Sequence, residues 1–341
     1  MNSSLRRTPV ILLCIGVLIF SALSISGQSD HARKSQQQQP PPGKRGVGST
    51  IDDPVQQKQN KPDKDKDDIT LNSDLVTIIA AVTGKDGSFV GDLKKEDFEI
   101  TEDNVPQTLS GFSREDSIPL ELAFLFDTSG SVRERRDFEK KAAVNFFKDV
   151  FRPQDHGSIY LVNTDVECEL PLTNHLEYII NAINRIQVDR GATALYDAIY
   201  LASKDLDQTT GRHVMMILSD GRDNVSRYDL KKALAEAQDA DVVVYAIHPY
   251  GRNLSANLRD PGAEQALISF AEQTGGEAYF SANVEELEQD FHRFAAELHA
   301  QYVLTYYPKN EARDGKFRSL SINVKRPGLT VRARKGYFAP K

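Results

Sequence analysis

The sequence predicts an α/β protein whose doubly wound, mainly parallel sheet is flanked by helices and inserted in a small β-sandwich. Between residues 117 and 299, strand segments alternate with helical segments, and the strands are apolar on both faces. Strands of this kind belong to parallel sheets that are covered on both sides. The segments on either side are β-rich and only about 40–50 residues long, which is too short for two separate domains.

The N-terminal 27 residues have the pattern of a secretory signal peptide. Arg6 and Arg7 precede an apolar run that ends in small residues, with a cleavage position near residues 26–28. The alternative is an uncleaved membrane anchor, but the run falls slightly short of the ~20 residues that a span needs. We therefore expect an exported protein that is periplasmic, cell-surface or secreted, with membrane contact only if the signal remains as an anchor.

Net charge excludes some classes of binding partner, and the cysteine content excludes an internal disulfide in the processed chain. Cleavage would remove Arg6 and Arg7 and no acidic residue, so the formal net charge would change from −7 to −9. An acidic protein is a poor binder of nucleic acid or of anionic membranes. Cys14 would leave with the signal, and we expect the remaining Cys168 to be a small buried hydrophobic residue without a disulfide partner.

Composition shifts divide the rest of the chain. Residues 28–70 contain "SQQQQPPPGKRG" and "QQKQNKPDKDKDD", which hold almost no large apolar side chains and predict a disordered linker. The full division is a signal peptide at 1–27, a linker at 28–70, a first part of the β-sandwich at 71–116, the α/β domain at 117–299 and a second part of the sandwich at 300–341.

The two β-rich segments are expected to pair with each other. The first contains "LVTIIAAVT", "DFEITED" and "QTLSGFS", and the second contains "QYVLTYY", "SLSINV" and "PGLTVRA". Neither segment has a disulfide to support it alone. Because the ends of an inserted domain often lie close together, one shared sandwich is the economical arrangement.

Within the α/β domain, the strongest strand patterns are "LELAFLF", "SIYLVN", "HVMMILS" and "DVVVYAIH", with weaker ones at "ECEL" and "EAYF". Asn174, Ser226 and Asn283 each precede an acidic residue by three positions, which predicts helix N-caps. The first helix should bury one apolar face. Its members are Phe138, Ala142, Phe146, Phe147 and Val150.

Polar residues follow three of these segments at places where a ligand would bind. Asp127, Ser129 and Ser131 follow "LELAFLF", Thr193 lies in the loop before the helix of "LYDAI", and Asp220 follows "HVMMILS". In an open parallel sheet, ligands bind beyond the carboxyl ends of the strands. Asp127 and Ser129 could instead simply cap the following helix, but capping would explain one loop and not three.

This pattern resembles the von Willebrand factor type A domains. Their metal-ion-dependent adhesion site (MIDAS) has the motif Asp-x-Ser-x-Ser, a distant Thr and a distant Asp, matched here by Asp127, Ser129, Ser131, Thr193 and Asp220. The resemblance implies that the hydroxyls contact Mg²⁺, or Mn²⁺ or Ca²⁺, while the aspartates act mostly through water. Such a cation is under-neutralised and would attract a carboxylate from outside.

The resemblance covers residues from about 119 to 298, and the flanking segments look more loosely like an exported bacterial subfamily with this domain. It implies an adhesion or protein-binding module whose partner protein presents an Asp or Glu carboxylate. The segment "RERR" at residues 133–136 should start a helix exposed beside the site, where it would guide an acidic ligand or form an ordinary solvated face.

An enzyme is the competing function. Asp127 and Asp220 could serve a metal-assisted hydrolase or phosphoryl transferase, but such sites usually place a second carboxylate beside the first, where this chain has Ser129 and Ser131. The chain has neither a G-x-S-x-G nucleophile motif nor a glycine-rich nucleotide loop after the first strand. We therefore expect a non-enzymatic binding protein, with no catalytic residues and no organic cofactor.

Overall fold

The computed structural model describes residues 75–114, 118–129, 136–187, 191–249, 251 and 259–341. The predicted signal peptide, the predicted linker and Ser131 lie outside the described residues. In the described ranges, no helix combines the length and the apolar character needed to cross a bilayer.

The chain begins and ends in strands and alternates between strands and helices in its middle. The N-terminal strands are β1 (Val76–Thr83), β2 (Phe98–Glu102), β3 (Val105–Gln107) and β4 (Leu109–Arg114). The middle contains β5 (Leu120–Asp127), α1 (Arg136–Val150), β6 (His156–Val162), β7 (Val166–Thr173), α2 (Leu176–Arg185), α3 (Leu195–Leu206), β8 (Arg212–Leu218), α4 (Leu230–Asp239), β9 (Val243–His248), α5 (Pro261–Thr274), β10 (Ala278–Phe280) and α6 (Val284–Leu298). The C-terminal strands are β11 (Tyr302–Tyr306), β12 (Phe317–Val324), β13 (Thr330–Ala333) and β14 (Gly336–Phe338).

The middle segments form a six-stranded sheet in the order β10-β9-β8-β5-β6-β7. All pairs are parallel except β6 with β7, which is antiparallel. Every residue of β5 is buried, because β6 and β8 flank it and helices cover both faces. Alternate side chains enter opposite cores: Phe124 packs in the core that includes residues of α1, α2 and α6, and Leu125 in the core of α3, α4 and α5.

The terminal segments form two four-stranded antiparallel sheets, in the orders β13-β1-β11-β4 and β14-β12-β2-β3. N-terminal and C-terminal strands are neighbours in both. Ile78 of β1 is paired with Leu304 of β11, and Ile100 of β2 with Ile322 of β12. Because side chains of both sheets share one buried core, each half completes the other. The predicted fold class, including the split β-sandwich, is confirmed.

Several local predictions need correction. Phe138 is 51% exposed, because the buried face of α1 is centred on Glu139, Ala142 and Phe146, one residue further along the helix. Cys168 is exposed on the edge strand β7 and is not a core residue.

Two of the three predicted helix caps also differ. The N-cap of α2 is His175 and not Asn174, and it makes no capping bond through its side chain. The N-cap of α4 is Asp229 and not Ser226, and its carboxylate accepts a hydrogen bond from the amide of Lys232. The cap of α6 is Asn283 as predicted, with its side chain accepting from the amide of Glu286.

A buried ionic network joins the sandwich to the α/β domain. Glu297 of α6 is completely buried, and its carboxylate is ion-paired with Arg332 of β13 and accepts a hydrogen bond of 2.5 Å from the Tyr245 hydroxyl. Burial raises the pKa of Glu297, and the Arg332 charge acts in the opposite direction. Arg332 also donates to Glu277 at 2.6 Å. A C-terminal strand therefore neutralises a carboxylate inside the neighbouring domain.

We predict that Arg332→Leu lowers the free energy of unfolding by about 3–5 kcal/mol, because it leaves the Glu297 carboxylate buried without a counter-charge. Urea denaturation followed by circular dichroism measures this. Arg326→Leu is the matched control: Arg326 pairs with Asp92 at the surface, at 2.9 Å, and its loss should change stability little. Equal effects of the two substitutions would contradict the prediction.

Candidate metal site

Asp127, the last residue of β5, is the centre of the candidate site. Its side chain is held on both oxygens: Oδ1 accepts from the backbone amide of Ser129 at 2.9 Å, and Oδ2 accepts from the Ser219 hydroxyl at 2.7 Å. Asp127 is 1% exposed and Ser129 is also buried. The carboxylate therefore has a fixed orientation at the carboxyl end of the central strand.

Asp220 is brought to Asp127 by the turn that follows the neighbouring strand β8. The Ser219 hydroxyl, which donates to Asp127, also accepts from the amide of Gly221 at 3.0 Å. Gly221 has a φ of 82°, and a Cβ there would lie 2.6 Å from the carbonyl oxygen of Ala263. The turn thus requires glycine. The Asp220 side chain is 12% exposed, and its Oδ2 lies 3.7 Å from Nη1 of Arg222.

Thr193 lies in a third loop, which is attached to the other two. Its amide donates to Oδ1 of Asn224 at 2.9 Å, and the amide of Asn224 donates back to the carbonyl of Thr193 at 3.0 Å. The amide of Ala194 donates to the carbonyl of Asn163, just beyond β6, at 2.8 Å. Thr193 is buried, and its position is set by both flanking loops.

Acidic side chains fasten the loop after β8 to the start of α3. Asp223 accepts from the amide of Tyr196 at 2.8 Å and from the Ser226 hydroxyl at 2.5 Å. Asp197 accepts from the amide of Arg227 at 2.9 Å. These bonds explain why Ser226 does not cap α4: its hydroxyl holds the loop that carries Asp220.

The electrostatics of the site favour an added cation. Burial raises the pKa of Asp127, and the negative charge of Asp220 raises it further, while hydrogen bonds from Ser219 and Ser129 act in the opposite direction. His248, at the end of β9, supplies little compensation, because burial lowers its pKa despite the charge of Asp220. The negative charges of Asp127 and Asp220 therefore repel each other, and a cation bound to both would relieve this repulsion, although Arg222 and Arg136 lie beside them.

Four of the five predicted ligands lie among the described residues, and Asp127, Ser129, Thr193 and Asp220 all occupy the same edge of the sheet. Ser131 is outside the described residues. The donors are hydroxyl and carboxylate oxygens, which suit a hard divalent cation such as Mg²⁺. Within the described ranges, there is no cluster of three or more His, Cys, Asp and Glu side chains that could hold a metal by themselves. The residues thus fit a site in which hydroxyl oxygens share the binding of the cation with the carboxylates.

Sequence reasoning missed three supporting residues. The sequence pattern places Ser219 at the end of an apolar strand. A hydroxyl directly before Asp220 could have indicated a polar contact at the site. Asn224 gave no local signal, because its role depends on a loop 31 positions away. Arg136 was expected at an exposed helix start but is buried, and its Nη1 donates to the main-chain carbonyl of Asp127 at 2.5 Å.

Comparison with known proteins identifies a family for this region. The family model of the von Willebrand factor type A domain matches residues 121–293. Similar solved structures include the conserved hypothetical protein BatB from Bacteroides thetaiotaomicron, at 14% identity and a TM-score of 0.42, covering 52% of this chain and 97% of that chain. A von Willebrand factor type A protein from Catenulispora acidiphila has 12% identity and a TM-score of 0.46, with coverage of 79% and 74%.

A third similar structure is proximal thread matrix protein 1 from the mussel byssus with a zinc-occupied MIDAS motif, at 14% identity and a TM-score of 0.45. The match covers 58% of this chain and 49% of that chain, so it spans about half the length of the mussel protein. A comparison with curated protein sequences gives no match.

We predict that Asp127→Asn raises the melting temperature of the metal-free protein by about 1–3 °C, because burial raises the pKa of Asp127 against the groups that favour its charge, and the amide is neutral and of the same shape. The amide can keep both bonds, since the Ser219 hydroxyl can also accept. Differential scanning calorimetry in EDTA measures this, with the exposed Asp92→Asn as control. A lower melting temperature for Asp127→Asn would show that the buried charge is stabilising without metal.

Proposed function

The chain belongs to the von Willebrand factor type A family, and from this membership we propose that it is an exported module that binds a partner protein through a divalent cation. Domains of this family often serve as metal-dependent interaction modules. The observation that supports the proposal most is the joining of three loops around Asp127 by hydrogen bonds through Ser219 and Asn224.

In this proposal, Ser129, Ser131 and Thr193 offer hydroxyl ligands, and Asp127 and Asp220 lie behind them. Mg²⁺, Mn²⁺ or Ca²⁺ when bound would supply a positive charge and an open position for an Asp or Glu carboxylate of the partner. The residues of this chain do the rest: Ser219 orients Asp127, and Asn224 keeps the loop of Thr193 beside the loop of Asp220. Because these hydrogen bonds already order the loops, little conformational entropy is lost when the cation binds.

The alternative of a metal-assisted hydrolase or phosphoryl transferase is less well supported. A nucleophile or general base needs an oxygen that can reach the reacting atom. Asp127 is 1% exposed, and the motif positions next to it carry hydroxyls where such enzymes usually place a second carboxylate. We therefore propose a non-enzymatic role in adhesion or protein–protein interaction.

The proposed location and partner rest on the sequence. The signal-like N-terminus supports a periplasmic, cell-surface or secreted protein, and the acidic net charge of −7 argues against nucleic acid as a partner. An acidic surface would repel an acidic partner at long range, so the cation would serve as the bridge between them. Binding should therefore depend strictly on the metal.

We predict that the purified protein binds one Mg²⁺ or Mn²⁺ per chain, weakly, because the site keeps a position open for the partner. Asp127→Ala and Asp220→Ala should each abolish this binding with the fold intact, whereas Asp92→Ala, an exposed carboxylate of the sandwich, should not affect it. Isothermal titration calorimetry measures the affinity and circular dichroism the fold. Equal titration by wild type and both site variants would refute the metal site.

The partner can then be sought by affinity capture from native extract. A protein captured in Mg²⁺, released by EDTA and absent with Asp220→Ala would support the adhesion role. Capture that persists in EDTA, or that is unaffected by Asp220→Ala, would contradict a metal-bridged contact.

A further inference from the structure

A buried cation stands directly behind the candidate metal site. Arg136 is the first residue of α1 and is 5% exposed. Its guanidinium carbon lies 5.0 Å from the centre of the Phe126 ring, and its Nη1 donates to the main-chain carbonyl of Asp127 at 2.5 Å. Nε and Nη2 have no hydrogen-bond partner among the described residues. Taking a guanidinium out of water and placing it against an aromatic ring is costly, so its position calls for an explanation.

A buried carboxylate accompanies it. Glu139, one turn further along α1, is 1% exposed. Burial lowers the pKa of Arg136, and the negative charges of Glu139 and Asp127 act in the opposite direction. The charge of Arg136 thus interacts with the charges of Glu139 and Asp127.

This arrangement has a consequence for any cation at Asp127. A positive charge in a low-dielectric region opposes the binding of a second one, and a negative charge favours it, over distances of several ångströms. Because both side chains are buried, dissolved salt screens these effects only weakly.

We propose that Arg136 and Glu139 set the metal affinity of the site by their charges, Arg136 weakening the hold on the cation and Glu139 strengthening it. This inference rests on the proposed metal site. The positive charge of Arg136 thereby offsets part of the negative charge that the site offers to the cation. Arg136 does this from the buried side of the site, which neither solvent nor the partner reaches. The partner's carboxylate then becomes the favoured counter-charge for the cation. Both act on the cation through space by their charge, and neither is assigned as a ligand.

A purely structural role for Arg136 predicts something different. If its only function were to hold the carbonyl of Asp127, every substitution would loosen the loop and weaken metal binding, whatever its charge. An electrostatic role predicts effects of opposite sign for the two residues, which cancel when both charges are removed.

The test is a series of variants in the full chain, titrated with Mn²⁺ by calorimetry. Arg136→Gln should bind Mn²⁺ several-fold more tightly than wild type, and Glu139→Gln several-fold more weakly. The double variant, which has the same net charge as wild type, should bind within about twofold of wild type. Lys140→Gln is the matched control, because Lys140 is on the same helix and its Nζ donates to the carbonyl of Ile186 at 2.9 Å; it should leave the affinity unchanged.

The metal site and the electrostatic role of Arg136 can be refuted separately. Absence of Mn²⁺ binding by wild type refutes the metal site itself. Wild-type binding with weaker binding by Arg136→Gln and the double variant refutes the electrostatic role and leaves a structural one. Melting temperatures in EDTA identify any single variant that does not fold. In that case, the Mn²⁺ affinity of the double variant is compared with the affinities of wild type and Lys140→Gln. A double variant that binds Mn²⁺ more than about twofold more weakly than wild type overturns the proposal.

Discussion

The burial of one carboxylate at the end of the central strand is the constraint on which the candidate site depends. Asp127 follows a strand that is buried along its whole length, so water cannot solvate its charge and the protein must do so. The amide of Ser129 and the hydroxyl of Ser219 supply two hydrogen bonds, and Arg136 adds a positive charge nearby. Each of these partners belongs to a different segment. Solvating Asp127 therefore draws the start of α1 and the turn after β8 into one place.

The same physical problem recurs at Glu297, where the β-sandwich supplies the counter-charge. Glu297 of α6 is completely buried, and its counter-charge comes from Arg332 of the sandwich strand β13. The C-terminal strands thus have two roles: they complete the β-sandwich begun by the N-terminal strands, and they neutralise a charge in the α/β domain. The six-stranded sheet with its helices and the β-sandwich are therefore joined by more than the two chain connections between them.

The errors of sequence interpretation share one cause. "RERR" was interpreted as an exposed helix start, yet Arg136 is buried; Ser226 was interpreted as a cap, yet it bonds Asp223; Cys168 was interpreted as a core residue, yet it is exposed. In each case, the local sequence pattern did not indicate which distant residues surround the side chain in the folded molecule. A charged residue next to an unsolvated carboxylate has a reason to be buried that no local pattern contains.

The order of elements, the mainly parallel sheet, the split sandwich and the motif positions Asp127, Ser129, Thr193 and Asp220 could all be predicted from the chain alone. They depend on hydrophobic periodicity and on strand ends, which are local properties of a sequence. The hydrogen bonds from Ser219 and Asn224, the buried Arg136 and Glu139, and the pairing of Glu297 with Arg332 became visible only in the folded molecule. These are contacts between segments distant in sequence, and the burial that makes them necessary exists only once the layers have packed.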